Sequence, residues 1–191
     1  MEKKLISIVT PCFNEEDNVA KLYELVKAVI EGLDQYDYEH IFIDNASSDN
    51  TVEILKDIAK NDKSVKIIVN SRNFGHIRSP VYAMMQAKGD VVISLVADLQ
   101  DPPEMIISFI KSYEDGFNIV LGIKESSKEN SLMFKIRRLY YSLLNRISDT
   151  EIYENYTGFG LYDKKTIEAL KKMPDAYPFF RGMIAEIGYK V

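Results

Sequence analysis

Short runs of aliphatic and β-branched residues alternate with longer amphipathic segments through residues 1–122. The runs cover residues 5–9, 39–44, 65–69, 90–96 and 117–121. Between them, apolar residues recur every three or four positions, as Val19, Leu22 and Val26 do, which is typical of a helix with one buried face. This alternation predicts an α/β fold with a mostly parallel sheet and helices on both faces.

A sheet of this kind determines which loops can form a binding site. Because the crossover connections are right-handed, the carboxyl ends of the parallel strands meet at one edge of the sheet. Ligands bind at that edge, near the point where the strand order reverses. The loops that follow Val9, Asp44, Val69 and Val96 are therefore the candidate functional loops.

The composition of the chain restricts the classes of function. With 24 basic and 29 acidic residues the net charge is −5, and no block of Lys and Arg offers the phosphate contacts of a nucleic-acid-binding protein. The single cysteine, Cys12, excludes an intramolecular disulfide and a four-cysteine zinc site, and it is expected to be a small core residue. The sequence lacks the glycine-rich motifs of dehydrogenases and P-loop ATPases and the G-x-S-x-G motif of hydrolases.

The sequence also contains no obvious targeting segment. No apolar run approaches the roughly 20 residues that cross a bilayer. Residues 1–5 lead directly into a strand pattern, unlike a signal peptide, so we expect a soluble chain on the cytoplasmic side. Residues 187–191 read like the beginning of a strand, and we expect the protein to continue beyond them.

The loops after the first two strands carry groups that suit a nucleotide. Pro11 is expected to end the first strand, Phe13 offers a surface for stacking, and Glu15 offers hydrogen bonds, although the same residues could form a plain helix cap. Asp44 ends the second strand, where it can bind a base imide or a ribose hydroxyl or can belong to a turn; the sequence leaves both open. Asp49 is predicted to be the N-cap of the following helix.

The loops after the third and fourth strands suggest a phosphate site and a metal site. Gly75 permits a close approach to a ligand, and Arg72 can pair with a phosphate or a carboxylate. Asp98 and Gln100 lie two residues apart, which places both side chains on one side of an extended backbone. Two oxygen donors suit Mg²⁺ or Mn²⁺, which take further ligands from water and a diphosphate. The other interpretation is a polar helix cap, with Asp101 as the N-cap.

Four segments together carry a resemblance to a known family. They read VTPCFNEEDNV at 9–19, IDNASSDNT at 43–51, SRNFG at 71–75 and ADLQDPPE at 97–104. In this order they resemble the inverting GT-A glycosyltransferases and, within that family, the polyprenyl-phosphate sugar synthases, which include dolichyl-phosphate mannose synthases and bacterial undecaprenyl-phosphate glucosyltransferases. The resemblance extends over nearly the whole chain.

The resemblance implies one Rossmann-like GT-A domain over residues 1–191, with the nucleotide-sugar-binding part in 1–122 and an acceptor-side part in 123–191. It implies a nucleoside diphosphate sugar as donor, a lipid phosphate as acceptor and Mg²⁺ or Mn²⁺ as cofactor. In many relatives two transmembrane helices follow this domain, so we expect association with a membrane surface if the chain continues. Assembly into a homo-oligomer is also compatible with the sequence.

The resemblance further assigns roles to individual residues. The implied donor-binding residues are Pro11, Phe13, Glu15, Asp44, Arg72, Gly75 and Ala97. The implied metal ligands are Asp98, which is also the expected catalytic residue, and Gln100. The candidates for contact with acceptor or donor phosphates are Arg137, Arg138 and Arg181.

This sequence departs from the family pattern at two positions. The metal loop of the family usually reads Asp-x-Asp-x-Gln, and Val96 stands where the first Asp is expected, which removes one carboxylate. Many relatives carry an acidic residue where Gly158 stands. Near Gly158 the sequence offers only Glu151 and Glu154 as a base, which favours a phosphate acceptor, since a phosphate is already ionised and needs no base.

Three other questions stay open at the level of the sequence. A basic amphipathic helix predicted over 132–147 either lies on lipid headgroups or packs on the sheet. Val96 is compatible with a degenerate domain that binds a nucleotide sugar or a partner without turnover. A nucleotidyltransferase is disfavoured because the acidic segment 14–17 stands where such enzymes have a glycine-rich basic loop.

Overall fold

The structure is a computed structural model that describes residues 3–123, 156–173, 175 and 178–191. The helix predicted over 132–147, together with Arg137 and Arg138, lies outside the described residues, as do Glu151 and Glu154. In the part of the chain that is described, no helix has both the length and the apolar character needed to cross a bilayer.

Strands and helices alternate in the described residues as the sequence predicts. In chain order they are β1 (Lys4–Cys12), α1 (Val19–Glu31), β2 (Tyr36–Asp44), α2 (Thr51–Asn61), β3 (Val65–Val69), α3 (Arg78–Gln86), β4 (Val91–Ser94), α4 (Met105–Glu114), β5 (Ile119–Ile123), β6 (Tyr156–Asp163), α5 (Lys164–Lys171) and α6 (Phe180–Ile187).

The strands form one six-stranded sheet in the order β3-β2-β1-β4-β6-β5. The strands β1 to β4 pair in parallel, and β6 runs antiparallel between β4 and β5. The strand order reverses at β1, because the chain first adds β2 and β3 on one side and then β4 on the other. A crevice is therefore expected between the carboxyl ends of β1 and β4.

Apolar side chains cover both faces of the sheet. One face holds Ile6 and Ile8 of β1 and packs against α1, α2 and α4, whereas the other holds Val9 and packs against α3, α5 and α6. This division follows from the pleat, because successive residues of a strand point to opposite faces. The predicted α/β architecture, a mostly parallel sheet with helices on both faces, is confirmed.

β1 continues through Pro11 to Cys12, so our expectation that the proline ends the strand is wrong. The Val9 carbonyl accepts a hydrogen bond from the Leu95 N–H, which shows that the backbone groups of Val9 face β4. Pairing of β1 with β4 ends at Val9 and Ser94. The N–H that Pro11 lacks would point to this same side, beyond the last pair, so the proline costs no ladder hydrogen bond.

Candidate functional site

A cavity of about 620 Å³ opens at the carboxyl edge of the sheet, where the strand order reverses. It is bounded by the loops after β1, β2, β3 and β4, by α3, and by the beginnings of β6 and α6. The predicted functional residues that line it are Pro11, Phe13, Glu15, Gly75, Ala97, Asp98 and Arg181. The topology thus brings together residues that are up to 170 positions apart in the chain, from Pro11 to Arg181.

Asp44 lies behind this cavity rather than in its wall. Its side chain is fully buried, and its carboxylate accepts hydrogen bonds from the backbone N–H of Ser47 at 3.0 Å and from the Ser47 hydroxyl at 2.5 Å. The carboxylate therefore shapes the turn after β2, which was one of its two expected roles. Its contact with a base or a ribose stays a prediction.

Arg72 also lies outside the lining residues. Its guanidinium group stacks over the Phe74 ring, 4.1 Å from the centroid, and donates a hydrogen bond to the Asn73 carbonyl at 3.3 Å. This stacking holds the exposed arginine beside the loop that carries Gly75. Its predicted role in donor binding is untested.

The loop after β4 turns sharply where an extended backbone was expected. Leu99 has a φ of 58°, and the Gln100 N–H donates a hydrogen bond to Asp98 Oδ1 at 3.0 Å. Asp98 is exposed and lines the cavity, whereas Gln100 is absent from the lining residues. The expectation that 98–100 is extended is wrong because of this turn, and the metal-binding role of the two residues stays a prediction.

The loop after β1 is fastened to the loop after β2 by backbone donors. Asn14 donates to the Ser47 hydroxyl at 2.9 Å, Glu15 donates to the Thr51 hydroxyl at 2.8 Å, and the Glu16 N–H donates to Asp49 at 3.1 Å. The side chain of Glu15 lines the cavity, and its Oε2 accepts a hydrogen bond from Asn18 Nδ2 at 2.7 Å.

Asp49 has a wider role than the predicted helix cap. The N-cap position of α2 is Asn50, but Asp49 accepts hydrogen bonds from both the backbone N–H and the hydroxyl of Thr51, at 3.0 and 2.5 Å. Desolvation by burial acts to raise the pKa of Asp49, and the hydrogen bonds from Thr51 and Glu16 outweigh it, so that the pKa lies below its ordinary value. A charged Asp49 thus joins the beginning of α2 to the loop after β1.

Asn45 is a site residue that the sequence analysis missed. Its Oδ1 accepts hydrogen bonds from Phe74 N–H at 2.9 Å and from Asn70 Nδ2 at 3.2 Å. Its Nδ2 donates to Asn73 Oδ1 at 2.8 Å and to the Gly75 carbonyl at 3.3 Å. All four hydrogen-bonding positions of the amide are used, so Asn45 fixes the glycine loop against the end of β2. An amide directly after a strand end was the available signal.

Three non-glycine residues of the described chain have a positive φ, and all three lie in loops at this edge of the sheet. They are Asn14 at 55°, Ala46 at 65° and Leu99 at 58°. A left-handed backbone costs on the order of 1 to 2 kcal/mol for such residues. The surrounding hydrogen bonds therefore hold the loops of the cavity in conformations that the chain alone disfavours.

The remaining wall of the cavity is largely apolar. Val96, which replaces the usual Asp, is part of the lining, as are Met84 and Phe179. Gly158 also lines the cavity with a φ of 103°, a backbone conformation that L side chains rarely adopt.

Cys12 is buried, and desolvation raises the pKa of its thiol far above the ordinary value, in agreement with its predicted role as a core residue.

The carboxylate oxygens of the cavity suit a divalent cation that takes most of its ligands from a substrate. Asp98 and Glu15 are the carboxylates among the described lining residues, and Asp98 is exposed to the cavity. No group of three or more His, Cys, Asp or Glu residues that could hold a metal ion occurs within the described ranges. Mg²⁺ and Mn²⁺ can bind through one or two carboxylates when water and a diphosphate supply the other ligands.

Known proteins with curated descriptions share this chain's sequence pattern. It is 34% identical over 185 residues to the uncharacterized glycosyltransferase YkcC of Bacillus subtilis, which covers 96% of this chain and 57% of that protein. It is 34% identical over 186 residues to the prophage bactoprenol glucosyl transferase homolog of Escherichia coli, with 97% and 60% covered. The chain therefore spans less than two thirds of the length of these relatives.

The fold is shared with solved glycosyltransferase structures. The mannosyltransferase PcManGT from Pyrobaculum calidifontis, solved in complex with GDP-Man and Mn²⁺, matches with a TM-score of 0.68 at 18% identity over 100% of this chain and 54% of that one. This likeness confirms the GT-A (Rossmann-like) fold. The sequence model of the family described as glycosyl transferase family 2 matches residues 7–171. The chain therefore belongs to that family.

Proposed function

We propose that this chain is the catalytic domain of an inverting glycosyltransferase that moves a hexose from a nucleoside diphosphate sugar to a lipid phosphate, with a polyprenyl phosphate as the acceptor. The observation that carries the proposal is the cavity at the strand-order reversal. Phe13 and Glu15 from the loop after β1, Asp98 from the loop after β4 and Arg181 from α6 all line it.

The side of the cavity near β1 and β2 suits the nucleoside. Phe13 is 48% exposed and can stack on a base, and Glu15 can accept hydrogen bonds from ribose hydroxyls. The loop at Gly75, held by Asn45, would close around the same ligand. Donor binding is accordingly assigned to the part of the chain within 1–122.

Asp98 would hold the divalent cation, Mg²⁺ or Mn²⁺, on the donor diphosphate. Such a cation neutralises the negative charge that develops on the leaving group. The hydrogen bond from the Gln100 N–H to Asp98 Oδ1 orients the carboxylate, and the second carboxylate oxygen can then face the cavity. The name of the Pyrobaculum relative, solved with GDP-Man and Mn²⁺, supports the same ligand chemistry.

The chemistry of the cavity favours a phosphate acceptor. A sugar hydroxyl requires a general base, whereas a phosphate oxygen is already ionised. Where many relatives carry an acidic residue, Gly158 contributes no side chain, and the Cys12 thiol cannot act as a base because burial keeps it protonated. In the proposed reaction the phosphate oxygen bonds to the anomeric carbon as the carbon–oxygen bond to the diphosphate breaks, and attack opposite to the leaving group inverts the configuration.

The printed name of the E. coli relative, a bactoprenol glucosyl transferase homolog, supports a prenyl phosphate as that acceptor. A prenyl chain resides in a bilayer, so we place the reaction at the cytoplasmic membrane surface. The acceptor would approach from the part of the chain within 123–191, where Arg181 lines the cavity.

A transfer assay tests this function directly. Purified chain is incubated with UDP- and GDP-sugars, a prenyl phosphate in detergent, and Mn²⁺, Mg²⁺ or EDTA, with a simple glycoside as the alternative acceptor. We expect a glycosyl prenyl phosphate that forms with metal but not with EDTA, and NMR of its anomeric centre reports inversion or retention. Transfer to the glycoside alone would contradict the lipid-phosphate acceptor, and a retained configuration would contradict inversion.

One observation favours a second candidate function. Val96 lies in the cavity wall at the position where the family pattern has a carboxylate, so the domain could bind a nucleotide sugar or a partner without turnover. Calorimetry with nucleoside diphosphates and Mn²⁺, run beside the transfer assay, separates the two. Tight binding without transfer from any donor would support the binding domain.

A further inference from the structure

The residues that line the cavity at the end of β4 differ in how deeply they lie. Asp98 is exposed, Val96 is partly buried and Ser94 is only 7% exposed. Ser94 lies two residues after Val92, which belongs to the apolar cluster beneath α3 and α6, so its side chain points to the same face of the sheet. Asp98 therefore stands at the mouth of the cavity, and Ser94 lies in its interior.

The interior of the cavity is mainly apolar. The lining side chains that we call the inner wall are Val81, Met84, Ser94, Val96 and Phe180. Val81 and Met84 of α3 are both buried, and Phe180 packs edge-on against the buried Tyr162, with 5.4 Å between the ring centroids. A ligand that enters beyond Asp98 therefore meets hydrocarbon on several sides.

Other polar side chains of the cavity are already hydrogen-bonded within the protein. The Asn45 amide uses all four of its hydrogen-bonding positions, and the Ser79 hydroxyl accepts a hydrogen bond from Asn70 Nδ2 at 2.9 Å. The Ser94 hydroxyl makes no side-chain hydrogen bond with another residue of the described ranges. Because Val96 supplies no acceptor, the inner wall offers a ligand one side-chain hydroxyl and otherwise apolar surface.

The proposed function assigns the inner wall to the donor sugar. Phe13 and Glu15 would hold the nucleoside, and Asp98 would hold the cation on the diphosphate at the mouth of the cavity. The sugar is bonded to the far end of the diphosphate, which leaves the inner wall to it. A sugar hydroxyl buried against Val96 would lose its hydrogen bonds to water, whereas a methyl group is stabilised by leaving water.

We propose that the donor is a modified hexose with a methyl group that an ordinary hexose lacks, and that Val96 selects this methyl group. The methyl belongs either to the acetamido group of an N-acetylhexosamine or to C6 of a 6-deoxyhexose. Both sources offer the same chemistry to the inner wall. This inference rests on the proposed function, because it names the class of sugar that the same site transfers.

Matched donors test the proposal in the unaltered chain. UDP-glucose is compared with UDP-N-acetylglucosamine and with UDP-6-deoxyglucose, and GDP-mannose with GDP-6-deoxymannose, so that each comparison keeps the nucleotide constant. With a prenyl phosphate and Mn²⁺, we expect kcat/KM to favour a methyl-bearing donor on the order of 10-fold or more, as is typical of an apolar pocket. The comparison that shows the preference identifies the source of the methyl group.

Val96→Thr tests the selecting residue, because it keeps the shape of the side chain and replaces one methyl group with a hydroxyl. We expect the preference for the methyl-bearing donor to fall on the order of 10-fold. Calorimetry with UDP or GDP and Mn²⁺ should give an unchanged affinity, since a nucleoside diphosphate has no sugar to contact the inner wall. A merely structural role of Val96 would change both quantities.

Val120→Thr is the matched control, because it makes the same substitution at a partly buried valine of β5 that does not line the cavity. Its donor preference should equal that of the unaltered chain.

The outcomes separate this inference from the proposed function. Transfer from ordinary hexose donors at an equal or higher kcat/KM would overturn the inference and leave the proposed function standing, as would an unchanged preference in Val96→Thr. If no donor supports transfer but calorimetry shows tighter binding of the methyl-bearing nucleotide sugars, the proposed function fails and the inference stands. A chain that neither binds nor transfers any of these sugars overturns both.

Discussion

The two sides of the cavity are built in different ways. On the side of β1, β2 and β3, the loops are bonded to one another, as when Glu15 donates to Thr51 and Phe74 donates to Asn45. On the side of β4, β6 and α6, the wall contains Val96, Gly158 and Phe179, which is 53% exposed. The first side is preorganised before a ligand arrives, whereas the second offers apolar surface and open backbone that a ligand must cover.

This contrast predicts that the two sides of the cavity contribute to different properties of the protein, and variants on each side test that prediction. The preorganised side should determine how tightly the nucleoside part of the donor binds and how stable the loops are. The open side should determine the rate of transfer, because Asp98 and Arg181 line it and would meet the charged groups of a bound substrate.

The largest expected effect belongs to the open side. Asp98→Asn keeps the size of the side chain and an oxygen that can accept the Gln100 N–H, but it removes the charge that would hold the cation. We expect transfer to fall on the order of 100-fold with an unchanged thermal midpoint.

The control for this variant is Asp57→Asn, which removes a carboxylate that pairs with Lys60 on the exposed face of α2. It should retain wild-type transfer rates. If Asp98→Asn retains them as well, the assignment of catalysis to the open side is wrong.

A smaller effect is expected on the preorganised side. Asn45→Asp replaces an amide that donates to Asn73 Oδ1 and to the Gly75 carbonyl with a carboxylate that can donate to neither. We expect the free energy of unfolding to fall by about 2 kcal/mol, measured with urea, together with a weaker affinity for the nucleoside diphosphate.

Asn61→Asp is the comparison for this variant, since its amide makes a single exposed hydrogen bond to the Asp57 carbonyl. It should leave both quantities close to those of the wild type. If Asn45→Asp lowers stability without changing nucleotide affinity, the loop at Gly75 takes no part in donor binding.

The last effect is absent at neutral pH and develops only on acidification, through His40 in β2. Burial lowers the pKa of His40 from 6.5 to about 3, against a weaker opposing effect of Asp62. Between these pH values His40 is protonated in the unfolded chain and neutral in the folded chain. The free energy of unfolding therefore falls as the pH falls, by about 1.4 kcal/mol per pH unit. Well above pH 6.5 the residue is neutral in both states and contributes no slope.

Urea unfolding at a series of pH values measures this slope. The range from pH 6.5 down to about 5 isolates the histidine, because most carboxylates titrate below it. His40→Gln should remove most of the slope in that range, whereas His76→Gln, at an exposed position, should retain it. An unchanged slope in His40→Gln would show that other groups titrate there.

Much of the sheet could be predicted because its signals are local. The run 65–69 became β3 with the same bounds, since a short β-branched run between turns is typical of a strand. β6 was not predicted, because Tyr156–Asp163 includes Gly158 and Gly160 and obtains its strand conformation from antiparallel partners far away in the chain. Pro11 was misjudged for the same reason, since its effect depends on where the neighbouring strand ends.

The site was predictable to the level of loops but not of side chains. The order of the strands brings the loops after β1, β2, β3 and β4 to one cavity. Of the consecutive residues Asp44 and Asn45, whose side chains point in different directions where the strand ends, only Asn45 is a lining residue. The turn at Leu99 has no signal in its sequence, because a positive φ in leucine arises only when the surrounding structure imposes it.

The antiparallel strand between β4 and β5 has a consequence for how the polypeptide is made. Until residues 156–163 leave the ribosome, β4 has an unsatisfied edge, and an edge of that kind recruits strands from other chains. The nascent first part, which would carry most of the proposed nucleotide-binding loops, is therefore incomplete as a folding unit. Synthesis must run past residues 156–163 before the sheet can close, so the residues on both sides of the cavity fold together.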